Sequence, residues 1–220
     1  MVALVTVYRR KDVFYTRAKA AGYRSRAAFK LLQLAEGGRL FHRGARVVDL
    51  GAWPGGWLQV AAQQVGRSGK VIGVDLRPIA PLGERNVTTI TGDITDPDTQ
   101  ARVAAACAGK ADLVLSDLAP KLTGIRARDE ALAQALVRCV LRFASGILRP
   151  GGKLVVKLFT SPDLPGTLEP LRTLFDDVRL TRPQATRKES AEVYAVASGF
   201  HRRQSRDVER CPARARHACN

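Results

Sequence analysis

Short apolar runs alternate with stretches of helical hydrophobic spacing along most of this 220-residue chain. Arg46–Leu50, 70–76, Val87–Thr91, Ala111–Ser116 and 153–158 are aliphatic or β-branched, and short enough to be buried strands. Between most of them apolar residues return every three to four positions, most plainly in Gly56–Val65 and 130–148, less so in 98–108. This alternation predicts parallel β-α-β units, with helices on both faces of one sheet. Two more strands are expected after a helix near 168–175, at 178–181 and 191–198. They bring the sheet to seven strands. The last alternates in polarity and should run antiparallel, at or near an edge. Ahead of the sheet a helix is expected over 25–36. Ser25 would be its N-cap, Ala28, Leu31, Leu32 and Ala35 its apolar stripe, and Gly37-Gly38 its end.

This pattern divides the chain into a basic segment at 1–24, one α/β domain at 25–200 and an Arg-rich tail at 201–220, expected to be mobile. Hydrophobic residues make up 45% of the chain, enough for one sizeable core and little more. Charge changes the picture further. Lys and Arg number 36 against 20 Asp and Glu, a net charge of +16 and a sequence pI near 10.6. An excess of this size concentrates polyanions at the surface, nucleic acid first among them. No run of about 18 apolar residues exists, so no membrane span is expected. Met1 to Val7 is too short an apolar stretch before Arg9-Arg10-Lys11 for a secretory signal. Cys107, Cys139, Cys211 and Cys219 form no C-x-x-C pair and imply no disulfide framework, which fits a reducing, cytoplasmic location. No metal is expected, since Cys211, His217 and Cys219 lack a fourth ligand nearby.

The chemistry concentrates at the strand ends. The first strand runs into Asp49-Leu50-Gly51-Ala52-Trp53-Pro54-Gly55-Gly56-Trp57, a glycine-rich turn between a strand and a helix. Ligands bind at the carboxyl ends of strands in such sheets. Position 53 is Trp where the dinucleotide fingerprint needs glycine, so a pyrophosphate cradle is disfavoured. Asp75 ends the second strand, where an acid can accept ribose hydroxyls, and Asp93 follows the third. Three acids along one edge would repel a pyrophosphate. They suit a nucleoside carrying a cationic sulfonium and an amino group, and S-adenosylmethionine fits that description. Further on, Asp117 follows the fourth strand, Lys157 interrupts an apolar fifth strand, Glu192 opens the last, and Lys30 sits among apolar neighbours on the first helix. A lysine in an apolar strand is costly unless it is paired or used.

These blocks resemble the FtsJ/RrmJ family of RNA 2′-O-methyltransferases. Tyr23-Arg24-Ser25-Arg26-Ala27-Ala28-Phe29-Lys30 is similar to the family's Ser-Arg-Ala-x-x-Lys segment, and the turn from Asp49 to Trp57 to its Asp-Leu-Gly-Ala-x-Pro-Gly-Gly-Trp turn. The segments 116–120, 150–159 and 190–194 match its later blocks in order and spacing, so the likeness runs from about Tyr15 to Phe200. Trp53 and Lys121 depart from the pattern, standing where the family commonly has a small residue and Asn.

The resemblance implies a Rossmann-like class I methyltransferase fold and S-adenosylmethionine as cofactor. It implies a catalytic tetrad of Lys30, Asp117, Lys157 and Glu192, with Lys157 as proton acceptor. Asp49, Gly51, Pro54, Gly55, Gly56, Trp57, Asp75, Asp93 and Asp117 are the expected cofactor-binding residues. Arg9, Arg10, Lys11, Arg24, Arg26 and Lys121 are the expected RNA contacts. A positioned base contributes roughly 10²–10⁴-fold to such a transfer, and Lys157 can act as one only in its neutral form. The expected substrate is a uridine of large-subunit ribosomal RNA or the large subunit itself, met by a monomer. Transfer RNA is the alternative, and a non-catalytic RNA-binding assembly factor a further one. A base-amino methyltransferase is disfavoured because Leu118-Ala119-Pro120-Lys121 after Asp117 offers no aromatic to stack a flipped base.

Overall fold

The computed structural model describes residues 13–37, 40–121 and 123–201. Helices α1 (Val13–Ala20) and α2 (Ala27–Ala35) precede β1 (Arg46–Leu50), α3 (Gly56–Val65), β2 (Lys70–Asp75) and β3 (Val87–Thr91). Then come α4 (Pro97–Cys107), β4 (Ala111–Ser116), α5 (Arg126–Ile147) and β5 (Leu148–Phe159). Helix α6 (Leu164–Leu174), β6 (Phe175–Thr181) and β7 (Glu192–Phe200) complete the order. The seven strands form one sheet in the order β3-β2-β1-β4-β5-β7-β6. Strands β1 to β5 run parallel.

Strand β7 is antiparallel to both neighbours and lies between β5 and β6, next to the edge strand β6, in keeping with its expected course near an edge. That insertion sets Lys157 opposite Tyr194 and Phe159 opposite Glu192. Residues two apart on a strand share a face, which puts Tyr194 and Glu192 on the same side as Lys157.

The central strands β1, β2 and β4 are mostly apolar because both faces are covered, while the edge strand β3 is largely exposed. Val48, Leu50, Leu154, Val156 and Leu158 point into a core closed by α4, α5 and α6. Val47, Leu113, Leu115 and Val155 point into a second core under α2 and α3. Cys107 and Cys139 are buried as small hydrophobes. Among the described residues no helix is long and apolar enough to cross a membrane.

Three local features differ from the sequence-based expectation. A short helix, α1, forms inside the basic segment, packed by Phe14 against Phe29 at 5.9 Å, with the Arg17 guanidinium over the Phe29 ring at 5.2 Å. Helix α2 starts at Ala27 and no side chain caps it; the Ser25 carbonyl, not its hydroxyl, accepts the Ala28 N–H. Strand β5 begins at Leu148, five residues early, because Pro150-Gly151-Gly152 forms an irregularity within the pairing rather than a turn before it. The tail beyond His201, including Cys211, His217 and Cys219, lies outside the described residues, as do Arg9, Arg10 and Lys11.

Candidate active site

The glycine turn is built from backbone that other residues adopt poorly. Gly51 has φ +78° and Gly55 φ +110°, both in the left-handed region open to glycine. A Cβ on Gly51 would stand 2.5 Å from the Leu118 side chain, so the turn after β1 and the loop after β4 lie in contact. The Trp53–Pro54 bond is cis.

The acids at the strand ends then differ in their surroundings. Asp75 accepts the N–H groups of Trp53 and Arg77, each at 2.9 Å, and so anchors the turn. Asp93 accepts from Thr95 through its N–H and its hydroxyl, both at 2.8 Å. Asp49 is 1% exposed, and neither carboxylate oxygen has a partner. Burial pushes its carboxyl well above the usual range, and the charges of Asp117 and Asp75 push it further. A buried, partnerless carboxylate flanked by two more is a site that lacks a positive charge. Trp57 is buried beneath α2, its indole N–H donating to the Ala27 carbonyl at 2.7 Å, so its contact with any ligand is through the backbone that it steadies. The indole of Trp53 is exposed and stacks under the Arg77 guanidinium at 4.8 Å.

Next to this turn, on the α2 face of the sheet, the four expected catalytic residues converge. Lys157 Nζ donates to the Asp117 carbonyl at 2.6 Å and pairs with Asp117 Oδ1 at 3.1 Å, with Glu192 Oε1 at 3.9 Å. Lys30 Nζ donates to Glu192 Oε2 at 2.8 Å. Lys30 and Lys157 are both buried, at 8% and 7% exposed. A fifth residue closes the circuit. The hydroxyl of Tyr194 accepts from Lys30 Nζ at 3.0 Å and donates to Asp117 Oδ1 at 2.6 Å. Burial and the negative charges of Asp117 and Glu192 drive its pKa far up, so Tyr194 is a fixed donor and not a base. The sequence reading missed it, since a tyrosine in a strand passes for packing; its place two residues after Glu192, on the same strand face, was the available signal.

The expected RNA contacts fare differently. Arg24 is committed to the fold: its guanidinium donates to the carbonyls of Pro54 at 3.2 Å, Ala80 at 2.6 Å and Pro81 at 2.6 Å, clamping the glycine turn to the loop after β2. Arg26 donates to the Ala185 carbonyl and lies on the same pocket wall as Lys30 and Glu192. Lys121 is exposed after Pro120.

A sheet of this order, with a glycine-rich turn after β1 and acids at successive strand ends, defines the Rossmann-like class of methyltransferases. Consistent with that class, the fold is similar to that of Aeropyrum pernix fibrillarin, a structure with natively bound S-adenosyl-L-methionine (TM-score 0.56, 18% identity, covering 80% of this chain and 75% of that one). A ribosomal RNA methyltransferase from Plasmodium falciparum is nearer, with a TM-score of 0.71 and 26% identity over 81% of this chain and 98% of that one. In sequence, the model of the FtsJ-like methyltransferase family matches residues 23–200. The chain is 47% identical over 192 residues to a protein of Halorubrum lacusprofundi named ribosomal RNA large subunit methyltransferase E, covering 87% of this chain and 71% of the relative. It is 43% identical to the protein of that name from Methanothermobacter thermautotrophicus, covering 87% of this chain and 91% of the relative. The chain therefore belongs to the FtsJ-like methyltransferase family.

Proposed function

We propose that this enzyme transfers a methyl group from S-adenosylmethionine to a ribose 2′-hydroxyl of large-subunit ribosomal RNA. The observation that carries the reading is the closed circuit of Lys30, Glu192, Tyr194, Asp117 and Lys157 beside an acid-lined glycine turn. The relatives named above support the choice of substrate.

The residues of the turn fit the cofactor. Asp49 lacks any partner for its two oxygens, and Asp75 and Asp117 add negative charge on either side. A phosphate would be repelled there, while a sulfonium or ammonium would offset the burial of the carboxylate. The backbone of Gly51, Gly55 and Gly56 would line the ligand, and Asp75, with lone pairs left over after two backbone bonds, would take ribose hydroxyls. Bound in this way, S-adenosylmethionine supplies an electrophilic methyl carbon.

The remaining work falls to the protein. A ribose hydroxyl is a poor nucleophile until its proton is taken. Neutral Lys157 would keep two N–H bonds, and the main-chain oxygen and carboxylate of Asp117 are placed to accept both. Its lone pair is then left for the hydroxyl proton. Asp117 is oriented by the buried hydroxyl of Tyr194 and so holds Lys157 in one rotamer. Lys30 gives two hydrogens to Glu192 and Tyr194, leaving a third for a substrate oxygen. Holding the hydroxyl roughly 3–3.5 Å from its target carbon would supply as much rate as the proton transfer.

The test is transfer of labelled methyl to immature large ribosomal subunits, with tRNA and DNA in parallel and Lys157→Ala as control. Label in an alkali-resistant 2′-O-methyl dinucleotide of ribosomal RNA, lost by roughly 10²-fold or more in the variant, is the expected result. Label in tRNA alone would move the substrate. RNA binding without transfer would make the chain an assembly factor. We further propose that the protein acts as a monomer in the cytoplasm; size-exclusion chromatography with light scattering checks the first and cell fractionation the second.

A further inference from the structure

Nothing in the proposed transfer uses the side chain of Trp53. Its ring is 48% exposed, whereas Trp57, the chain's only other tryptophan, is 4% exposed. Leaving so large an aromatic in water forgoes the gain from burying it. The fold nonetheless holds the residue firmly. The Trp53 N–H donates to one oxygen of Asp75 and the Arg77 N–H to the other, each at 2.9 Å. The next carbonyl, that of Pro54, accepts from Arg24, which also donates to Ala80 and Pro81 in the loop after β2. The backbone on both sides of the indole is thus fixed. Over the ring lies the Arg77 guanidinium, at 4.8 Å from its centroid. Among the described residues Arg77 enters no ion pair, so its charge is not neutralised by a neighbour.

This pair stands at the mouth of the site. Strands β1 and β4 are neighbours. Two residues before Trp53, a Cβ on Gly51 would meet the side chain of Leu118, which follows Asp117. The turn that presents the indole therefore borders the loop that carries Asp117. Charge then selects the occupant. S-adenosylmethionine carries a sulfonium and an ammonium, which a free guanidinium repels, and has no phosphate to offset that guanidinium. A nucleotide of RNA brings a flat base for the ring and a phosphate for the arginine. Unpaired bases are held by stacking on aromatic side chains, while bases inside a duplex are already covered by their neighbours.

We infer that Trp53, braced by Arg77, is a stacking platform for an unpaired base of the RNA substrate near the target nucleotide. The inference rests on the proposed function for the identity of that RNA, and it assigns a substrate-positioning residue. The indole can be removed without releasing the turn, because Trp53 is anchored to Asp75 through its main chain.

The experiment uses the full chain and reads both tryptophan emission and methyl transfer. Trp57 is buried, so acrylamide quenching reports on Trp53. Protein-free large-subunit ribosomal RNA is expected to shield Trp53 from acrylamide; S-adenosylmethionine alone and a wholly duplex RNA are expected to leave it accessible. Trp53→Ala should raise KM for immature large subunits about tenfold, within the range that stacking of one base contributes, with kcat and cofactor affinity within about twofold. Its slope of log RNA affinity against log salt should match wild type, since stacking releases no counterion, whereas Arg77→Ala should flatten that slope by about 0.7. Trp53→Phe should recover most of the loss. Leu180→Ala, which changes a similarly exposed apolar residue on β6, should alter none of these readings. Shielding by S-adenosylmethionine alone, or equal shielding by the duplex, overturns the inference. So does an unchanged KM in Trp53→Ala, a loss that phenylalanine does not restore, or an equal loss in Leu180→Ala. RNA that shields Trp53 yet receives no methyl overturns the proposed function and keeps the platform; methyl transfer with Trp53 unshielded does the reverse.

Discussion

Replacing Asp49 with Asn separates what this residue does for stability from what it does for the ligand. In the free protein its carboxylate is 1% exposed with no hydrogen-bond partner, between the charges of Asp117 and Asp75. An unsatisfied buried polar group costs about 1–3 kcal/mol, and more when it is charged. Asparagine removes the charge but leaves an amide in the same dry site, so the net gain should be at the lower end, about 1–2 kcal/mol at pH 8. For a chain of this size about 1 kcal/mol shifts Tm by roughly 2–4 °C, so the variant should melt about 2–8 °C higher. The pH dependence fixes the cause. The folded pKa of Asp49 lies above its unfolded value of about 3.9, so the folded state holds the proton longer. Wild-type stability therefore falls as pH rises from about 4 through the folded pKa, then levels off. The variant lacks this contribution, and the gap in Tm should open with rising pH and close in acid. Binding should move the other way: the variant loses about tenfold or more in affinity for S-adenosylmethionine, because a hydrogen bond or ion pair to a charged group is worth about 1.5–3 kcal/mol. Differential scanning fluorimetry from pH 5 to 9 and titration calorimetry read both effects. A variant less stable than wild type at pH 8, or a Tm gap independent of pH, would refute the reasoning.

Tyr194→Phe removes one oxygen bonded to both Lys30 and Asp117; folding stability should fall by about 2 kcal/mol in urea titration, and kcat should drop with cofactor affinity retained. Arg24→Ala removes three bonds to the carbonyls of Pro54, Ala80 and Pro81. It should weaken S-adenosylmethionine binding by calorimetry, while the salt slope for RNA stays the same; a shallower slope would restore Arg24 as an RNA contact. Gly51→Ala combines a left-handed φ of +78° with a Cβ 2.5 Å from Leu118, and should lower Tm by an amount corresponding to at least about 1–2 kcal/mol.

The sheet was legible in the sequence because strands buried on both faces are mostly apolar, as Val47, Val48 and Leu50 or Leu113, Val114 and Leu115 show. Helix α1 was not, because only Ala18 of its eight residues is buried. Its anchor is the packing of Phe14 and Arg17 on Phe29, which no local period reveals. Ser25 misled as a cap because its hydroxyl lies against Gly56, in the seam between α2 and α3. The antiparallel course of β7 near an edge followed from its alternation, but not that it slips between β5 and β6. Lys30 and Lys157 were visible as polar residues in apolar settings, and Asp117 and Glu192 through the family resemblance. Tyr194 was not, because it looks like core, and only the tertiary structure brings it to this group of residues.

The insertion of β7 carries a consequence for how this enzyme comes into being. Lys30 and Glu192 are 162 residues apart in the chain, yet bonded in the folded protein. During synthesis the strands β1 to β5 can pair as they emerge, since each finds its neighbour among residues already made. A chain stopped before residue 192 would hold the glycine turn and every acid around it, but neither Glu192 nor Tyr194, and β5 would show an open edge. On the proposed function, such a chain would keep the residues assigned to the methyl donor and lack two members of the circuit. On the proposed assignment, β7 is the element whose arrival completes the circuit.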